Sequence, residues 1–142
     1  MIAALYEAAD AGVKIEIVVR GICALQFSTQ AQMENIKVRS ILGRFLEHSR
    51  IYYFKNDGAE EYFIGSADVM HRNLDRRVEA LVRIDNEKHK ERLRVILDDS
   101  ASDKYSTWSL STENIWQRST HDVSGNRLPN FQDHFVERHN RA

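Results

Sequence analysis

The residues of this chain best suited to chemistry are basic side chains and histidines that accompany predicted strands. Arg20 and Gly21 come directly after the apolar run that ends at Val19. Ligands of open α/β sheets bind at the carboxyl ends of the strands, and a guanidinium binds phosphate oxygens through two parallel hydrogen bonds. This position therefore suggests a phosphate clamp at Arg20. The alternative is a surface arginine that ends a strand.

His48 and Arg50 form a second candidate group at the entry to a predicted strand. Alternate residues of a strand share a face, so both side chains are expected on one side. Ser66 ends the predicted partner strand and Asp68 follows it, so both are expected near the same strand ends. A histidine, a cation and a hydroxyl together suit phosphoryl transfer, which needs a proton donor or acceptor and positive charge where oxygens gather. The alternative is a surface histidine beside a salt-bridging arginine.

Other cofactor and metal signals are missing from the sequence. It has neither a GxxxxGK[ST] loop nor a GxGxxG motif, so neither of these nucleotide sites is supported. No metal ligands are predicted, because the histidines at positions 89, 121, 134 and 139 lack metal-ligand spacing. Cys23 has no neighbouring histidine and aspartate that would make it a nucleophile, and it is interpreted as a packing residue.

The composition is that of a globular domain. Hydrophobic residues make up 42% and charged residues 29% of 142 residues, and the net charge is −1, which argues against a nucleic-acid partner. The single cysteine suits a reducing compartment. No apolar run approaches the roughly 18 residues that span a bilayer, so no transmembrane segment is predicted. These features predict a soluble, cytoplasmic domain.

The apolar pattern predicts an α/β fold in layers, because helical and strand patterns alternate. The expected elements are a helix at 2–9 capped by a left-handed Gly12, a strand at 14–19, a loop at 24–35, a helix at 36–47, strands at 50–54 and 61–66 around the turn Asn56-Asp57-Gly58, a strand at 78–82, a helix at 85–98 capped by Asp85, and short strands at 108–110 and 115–116. Residues 1–118 are predicted to form one domain. Residues 119–142 are predicted to form a polar, poorly ordered tail.

The order of these elements also predicts a longer parent chain. A helix followed at once by a buried strand is the second half of a βαβ unit, and the first strand of that unit is not present before Met1. The sequence is therefore expected to be part of a longer protein.

Several segments resemble the C-terminal, second phospholipase D-like domain of bacterial long-chain polyphosphate kinases, and together they cover residues 1 to about 99. They are Ala11-Gly12-Val13, Val19-Arg20-Gly21-Ile22-Cys23, Glu34-Asn35-Ile36, Arg39-Ser40-Ile41, Gly43-Arg44-Phe45-Leu46-Glu47-His48-Ser49-Arg50, Ile64-Gly65-Ser66-Ala67-Asp68 and Arg72-Asn73-Leu74-Asp75-Arg76-Arg77-Val78-Glu79. The resemblance implies a phospholipase D-like layered domain, with a mixed sheet flanked by helices.

The resemblance also implies an activity. Polyphosphate kinases transfer the ATP γ-phosphate reversibly to inorganic polyphosphate through a phosphohistidine, with magnesium. That histidine belongs to a preceding domain which this chain lacks, and the magnesium ligands are expected outside the chain. The fragment alone is expected to be inactive, and the intact enzyme is expected to be a homo-oligomer.

Residue roles follow from the same resemblance. Arg20 corresponds to an ATP-phosphate contact, and His48 to the second active-site histidine, a catalytic proton donor or acceptor near the nucleotide phosphates. Arg50 stands where the phospholipase D pattern has a lysine and is a further phosphate-binding candidate, as is Ser66. Two other functions remain open: a phospholipase D-like phosphodiesterase half-site, which Lys55 at the position of the aspartate in that pattern disfavours, and a non-catalytic polyphosphate-binding module.

Overall fold

A computed structural model of the protein describes residues 1–140. Its elements in chain order are α1 (Ile2–Asp10), β1 (Ile15–Val19), α2 (Gln30–Asn35), β2 (Ile36–Ser40), β3 (Ile51–Phe54), a 3-10 turn (Asn56–Gly58), β4 (Glu61–Gly65), α3 (His71–Leu74), β5 (Leu81–Arg83), α4 (Glu87–Ser100), β6 (Thr107–Leu110), β7 (Trp116–Ser119) and α5 (Phe131–Asn140). No helix among these is long and apolar enough to cross a membrane.

The chain divides into two compact units, where the sequence analysis predicted one domain over residues 1–118. The first unit comprises Met1–Glu47 and the chain from Asp99 onward, and the second comprises His48–Asp98. The first unit is thus built from two separate stretches of sequence, which local patterns do not reveal.

The first unit is organised around a four-stranded mixed sheet in the order β1-β2-β6-β7. β1 and β2 run parallel, and the pairings of β6 with its two neighbours are antiparallel. The core contains Ala9 of α1 and Ile36 and Val38 of β2, together with Leu25 and Phe27 of the loop between β1 and α2. A mixed sheet flanked by helices agrees with the predicted α/β class.

The prediction of a helix over 36–47 was wrong. Residues 36–40 form β2, in which Ile36, Val38 and Ser40 are buried and Lys37 is exposed. This two-residue alternation with β-branched side chains is a strand pattern. The next residues, 41–50, form no helix or strand and lead into β3. The predicted loop at 24–35 was likewise wrong at its end, where α2 begins behind the Thr29 cap, whose side chain accepts a hydrogen bond from Gln32 N–H.

The predicted end of α1 is confirmed. Gly12 has a φ of +91°, in the left-handed region that glycine adopts without strain. Its N–H donates to the Ala9 carbonyl at 2.9 Å, and Val13 N–H donates to the Ala8 carbonyl at 3.0 Å. These two bonds close the helix before the chain enters β1.

The second unit contains a three-stranded antiparallel sheet in the order β3-β4-β5. The predicted hairpin is confirmed: Ile51 pairs with Ile64, and Asn56, Asp57 and Gly58 all have positive φ in the turn. The predicted strand at 78–82 is reduced to β5. Asn86, not Asp85, caps α4, because its Oδ1 accepts the Lys88 N–H at 3.0 Å and the His89 N–H at 3.3 Å.

The structure differs from the predicted tail at 119–142 as well. Residues 131–140 form α5, and Phe131 packs with Ile41 and Tyr105 in a second buried cluster. Asn130 Oδ1 accepts the Gln132 N–H at 2.9 Å and the Asp133 N–H at 3.4 Å, as an N-cap does. Residues 141 and 142 of the predicted tail lie outside the described residues.

Candidate functional site

Arg20 lies at the carboxyl edge of the parallel pair of strands in the first unit. Val19, the last residue of β1, is paired with Ser40, the last residue of β2, so both strands end at the same level. Arg20 and residues 41–47, which follow these two strands, line a cavity of about 280 Å³. The Nη1 of Arg20 donates to the Glu47 carbonyl at 2.9 Å. The geometry brings a half-buried guanidinium to the edge where α/β folds bind ligands.

The loop at 41–47 that forms the cavity wall is held by a side chain from α5. Gln132 Oε1 accepts the Phe45 N–H at 2.8 Å, and Gln132 Nε2 donates to the Phe45 carbonyl at 2.8 Å. Beside these bonds, the Arg44 guanidinium lies 5.4 Å from the centre of the Phe45 ring. Sequence reasoning missed Gln132. The available signal was Asn130, a good N-cap residue ahead of apolar residues at helical spacing.

His48 and Arg50 belong to the second unit and contact each other. Arg50 Nη1 lies 2.5 Å from His48 Nδ1 and 3.0 Å from the His48 carbonyl oxygen, and Arg50 Nη2 lies 3.3 Å from His48 Nε2. The histidine is exposed, whereas the arginine side chain is only 13% exposed. The predicted neighbourhood of these two side chains is therefore present in the structure.

Asp68 anchors the arginine of this pair. Its Oδ1 accepts from Arg50 Nη2 at 2.8 Å and from Arg50 Nε at 3.1 Å. The sequence analysis placed Asp68 near the entry of β3 because of the hairpin, and the backbone explains why: Gly65 N–H donates to the Arg50 carbonyl at 2.9 Å, so β4 ends beside the start of β3. Arg50 thus bridges a fixed carboxylate and an exposed imidazole.

Tyr52 lies beside this ion pair on the same strand. Its hydroxyl donates to the Ala67 carbonyl at 3.4 Å. Burial raises the pKa of Tyr52, and the Asp68 carboxylate raises it further, while the Arg50 guanidinium partly opposes both. Tyr52 is therefore a neutral hydrogen-bond donor at neutral pH.

Ser66 makes different contacts from those expected of a phosphate ligand. Its Oγ donates to Glu79 Oε2 at 2.5 Å and accepts the Ala80 N–H at 2.9 Å. Glu79 is in turn paired with Arg77, with 3.2 Å between Glu79 Oε1 and Arg77 Nε. The hydroxyl therefore ties the end of β4 to the segment before β5. Sequence analysis did not single out Glu79 as the partner of this hydroxyl.

Comparison with known proteins gives one consistent result. A sequence profile of the family described as polyphosphate kinase C-terminal domain 2 matches residues 1–128. The chain is 46% identical over 138 residues to a polyphosphate kinase of Streptomyces coelicolor, which covers 97% of this chain and 18% of that protein. A polyphosphate kinase of Mycobacterium tuberculosis is also 46% identical, over 139 residues, covering 98% of this chain and 18% of the relative.

This chain belongs to the polyphosphate kinase C-terminal domain 2 family. The solved structure of a polyphosphate kinase from Porphyromonas gingivalis superposes on it with a TM-score of 0.84 at 32% identity, covering 98% of this chain and 21% of that one. The suspected family is therefore confirmed. The chain spans less than a quarter of the length of these polyphosphate kinases.

The resemblance implies a magnesium ion whose ligands are expected outside this chain. Over residues 1–140, no three histidine, cysteine, aspartate or glutamate side chains converge to hold a metal ion. Asp68, which lies near the candidate histidine through Arg50, is engaged with that arginine. The described residues of the two candidate groups are therefore cations and an imidazole, and no cluster of three metal-ligating side chains accompanies them.

Proposed function

We propose that this chain is the part of a polyphosphate kinase that contacts the phosphates of ATP and polyphosphate. The reaction is the reversible transfer of the ATP γ-phosphate to inorganic polyphosphate. The observation that carries the proposal is the 46% identity to a protein named polyphosphate kinase along 97% of the chain. The chemistry of the two arginine sites supports it, because transferring a phosphoryl group requires positive charge placed around its oxygens.

Arg20 is proposed as an ATP-phosphate contact. Its guanidinium lines the cavity at the carboxyl edge of β1 and β2, and one of its donors is fixed by the Glu47 carbonyl. A guanidinium has five N–H donors in a rigid fork, so holding one of them restricts the directions that the others can take. An arginine held in this way loses less entropy when it binds phosphate oxygens.

His48 is proposed as the proton donor or acceptor, with Arg50 as a neighbouring phosphate contact. A guanidinium only donates hydrogen bonds, so we assign the lone pair to His48 Nδ1, which is the ring nitrogen nearer to Arg50; the 3.3 Å approach of Arg50 Nη2 to Nε2 is then a contact and not a hydrogen bond. In the neutral ring Nε2 then carries the proton, which can be donated to a phosphate oxygen. Asp68 holds the arginine in place and so fixes the ring orientation indirectly.

The remaining parts of the reaction are assigned outside this chain. The phosphorylated histidine and the magnesium ligands are proposed to lie in a preceding domain, and the intact enzyme is proposed to be a cytoplasmic homo-oligomer. Ser66 is retained as a further phosphate contact, and that role requires its hydroxyl to exchange the Glu79 bond for a phosphate oxygen.

Titration of the 142-residue chain with tripolyphosphate tests the Arg20 assignment. A charge-assisted hydrogen bond contributes roughly 1.5–3 kcal/mol, so Arg20→Ala is expected to weaken binding about tenfold or more. Arg92→Ala removes an exposed arginine from α4 and serves as the matched control, with affinity expected to change less than about twofold. Equal losses in the two variants would reject a specific role for Arg20.

A further inference from the structure

We infer that Gln132 is a positioning residue, which holds the loop at 41–47 so that Arg20 is presented to phosphate. Gln132 belongs to α5, beyond residues 1–128 that the family profile matches. The inference rests on the proposed role of Arg20 and adds the residue that sets the geometry of that site. Three observations support it. They are the hydrogen bonds between Gln132 and the Phe45 backbone, the hydrogen bond from Arg20 to the Glu47 carbonyl, and the close packing of Gly43.

The first point of support is the backbone of Phe45. The Gln132 amide accepts from its N–H and donates to its carbonyl, both at 2.8 Å, as a neighbouring strand would. Gln132 is only 6% exposed, so losing these bonds would leave a buried amide and a loop peptide unsatisfied. The loop has no regular structure of its own to fix Phe45. The side chain from α5 therefore replaces the missing backbone partner.

Gly43 shows that the loop and the glutamine are packed to fit each other. A Cβ placed on Gly43 would lie 2.2 Å from Gln132 Oε1 and 2.7 Å from Gln132 Cδ. Neither distance is compatible with a side chain, so the absence of a Cβ is what allows the amide to reach Phe45. The glycine is needed here for close approach and not for an unusual backbone angle.

The second point of support connects the loop to the phosphate-binding candidate. Glu47, two residues after Phe45, provides the carbonyl that accepts from Arg20 Nη1 at 2.9 Å. Displacing Phe45 moves this carbonyl and with it the bond that orients the guanidinium. Gln132 is itself fixed, because Asn130 caps its N–H and Phe131 is buried against Ile41 and Tyr105. Gln132 of α5 thus orients Arg20 indirectly, because it holds the loop whose Glu47 carbonyl accepts a hydrogen bond from Arg20.

The first experiment removes the amide from the 142-residue chain. Gln132→Met keeps the length of the side chain but loses both hydrogen bonds. Tripolyphosphate affinity is expected to fall about five- to tenfold, in line with two neutral hydrogen bonds. Gln117→Met, at an exposed position of β7, is the matched control and is expected to leave affinity unchanged. The Phe45 amide is expected to exchange with solvent faster only in the Gln132 variant.

A double-mutant cycle separates positioning from general loss of stability. Gly43→Ala alone is expected to weaken tripolyphosphate binding strongly, since its Cβ meets the Gln132 amide. In a Gln132→Ala background both contacts with the Gln132 amide are removed and only the tight approach to Asn130 Oδ1 at 3.1 Å is left, so the same change should cost less. The two losses are therefore expected to be strongly non-additive. Additive losses would overturn the inference.

Arg20→Ala separates failure of the inference from failure of the proposed function. If Arg20→Ala weakens tripolyphosphate binding and Gln132→Met does not, the positioning role is wrong and the phosphate contact stands. If Arg20→Ala leaves binding unchanged, the proposed contact fails, and the positioning role fails with it. If Gln132→Met does not fold, Gly43→Ala decides the question, because it keeps Gln132 and displaces only its amide; unchanged tripolyphosphate binding in Gly43→Ala would overturn the inference.

Discussion

Arg50 contacts the candidate histidine, His48, and is itself held by Asp68. Its side chain is 13% exposed and pairs with Asp68, which is 30% exposed. Arg50→Ala would leave this carboxylate without its cation in a partly buried place. The expected loss is ~1–3 kcal/mol of unfolding free energy, measured by urea denaturation. A loss no larger than that of Arg92→Ala would show that the pair contributes little.

The same substitution also reports on His48. Long-range ¹H–¹⁵N spectra of the wild-type chain are expected to show the imidazole with its proton on Nε2, because Arg50 donates to Nδ1. In Arg50→Ala this preference is expected to disappear, and Arg50→Lys is expected to restore part of it, since an ammonium also only donates. An unchanged tautomer in Arg50→Ala would show that the contact with Arg50 does not determine which nitrogen of the His48 ring carries the proton.

At the scale of elements, Arg94 connects α4 to the sheet of the second unit. Arg94 donates to both carboxylate oxygens of Glu60 and lies 5.8 Å from the ring centre of Tyr62, a residue 1% exposed. Glu60 also accepts from the Tyr53 hydroxyl at 2.9 Å. The Arg94 hydrogen bonds, followed by the Tyr53 hydroxyl, lower the pKa of Glu60 below its ordinary value of 4.5.

This pKa shift predicts how stability changes with pH. A carboxyl whose pKa is lowered on folding stabilises the fold fully above its ordinary value, and the contribution is lost as the pH falls through the lowered value. Unfolding free energy is therefore expected to decline below about pH 4.5 more steeply in the wild type than in Glu60→Gln. Parallel pH curves for the two proteins would contradict this role of Glu60.

α5 is the element that the sequence analysis interpreted as a tail, and its attachment can be tested. Phe131 is 6% exposed and meets the Tyr105 ring edge-on at 5.5 Å. Phe131→Ala is expected to cost ~3 kcal/mol of unfolding free energy, as for other buried phenylalanines. Phe54→Ala, at a position 55% exposed, is the matched control with an expected cost of about 1 kcal/mol or less. Similar losses of unfolding free energy in the two variants would mean that Phe131 does not anchor α5 to the rest of the first unit.

The predictions that were confirmed concern features determined by residues close to one another in the sequence. The Gly12 cap and the hairpin turn at 56–58 depend on neighbouring residues, and both are visible in the sequence. The error at 36–47 arose because apolar residues continue at 41, 42, 45 and 46 beyond the alternating strand residues. In the folded chain Leu42, Phe45 and Leu46 are exposed, so their hydrophobicity does not report burial in a helix.

At the scale of the whole molecule, contacts distant in sequence escaped prediction. Gln132 holds Phe45 from 87 residues away, and no local pattern indicates that pairing. The division into two units was not predicted for the same reason, because the first unit combines Met1–Glu47 with the residues from Asp99 onward. Arg50 and Asp68 were predicted as neighbours because one hairpin joins them. The candidate histidine group was therefore predictable from strand periodicity, whereas the support of the Arg20 loop was not.

The last prediction concerns the activity of the chain as a whole. It spans 18% of the polyphosphate kinase from Streptomyces coelicolor, and the phosphorylated histidine is proposed to lie in a preceding domain. Phosphoryl transfer through a phosphohistidine needs an acceptor imidazole and metal ions that offset the phosphate charge. The chain, incubated with labelled ATP, magnesium and a polyphosphate primer, is therefore expected to transfer no label, although it binds tripolyphosphate.

Transfer of label that is lost in His48→Ala would contradict this prediction and make the chain a sufficient catalyst. Hydrolysis of a model phosphodiester that depends on His48 would instead favour the phosphodiesterase alternative. Polyphosphate binding that survives His48→Ala and weakens in Arg20→Ala, without any turnover, would favour the non-catalytic polyphosphate-binding module. Absence of transfer in every variant is the result expected from the proposed function, in which the phosphorylated imidazole lies in another domain.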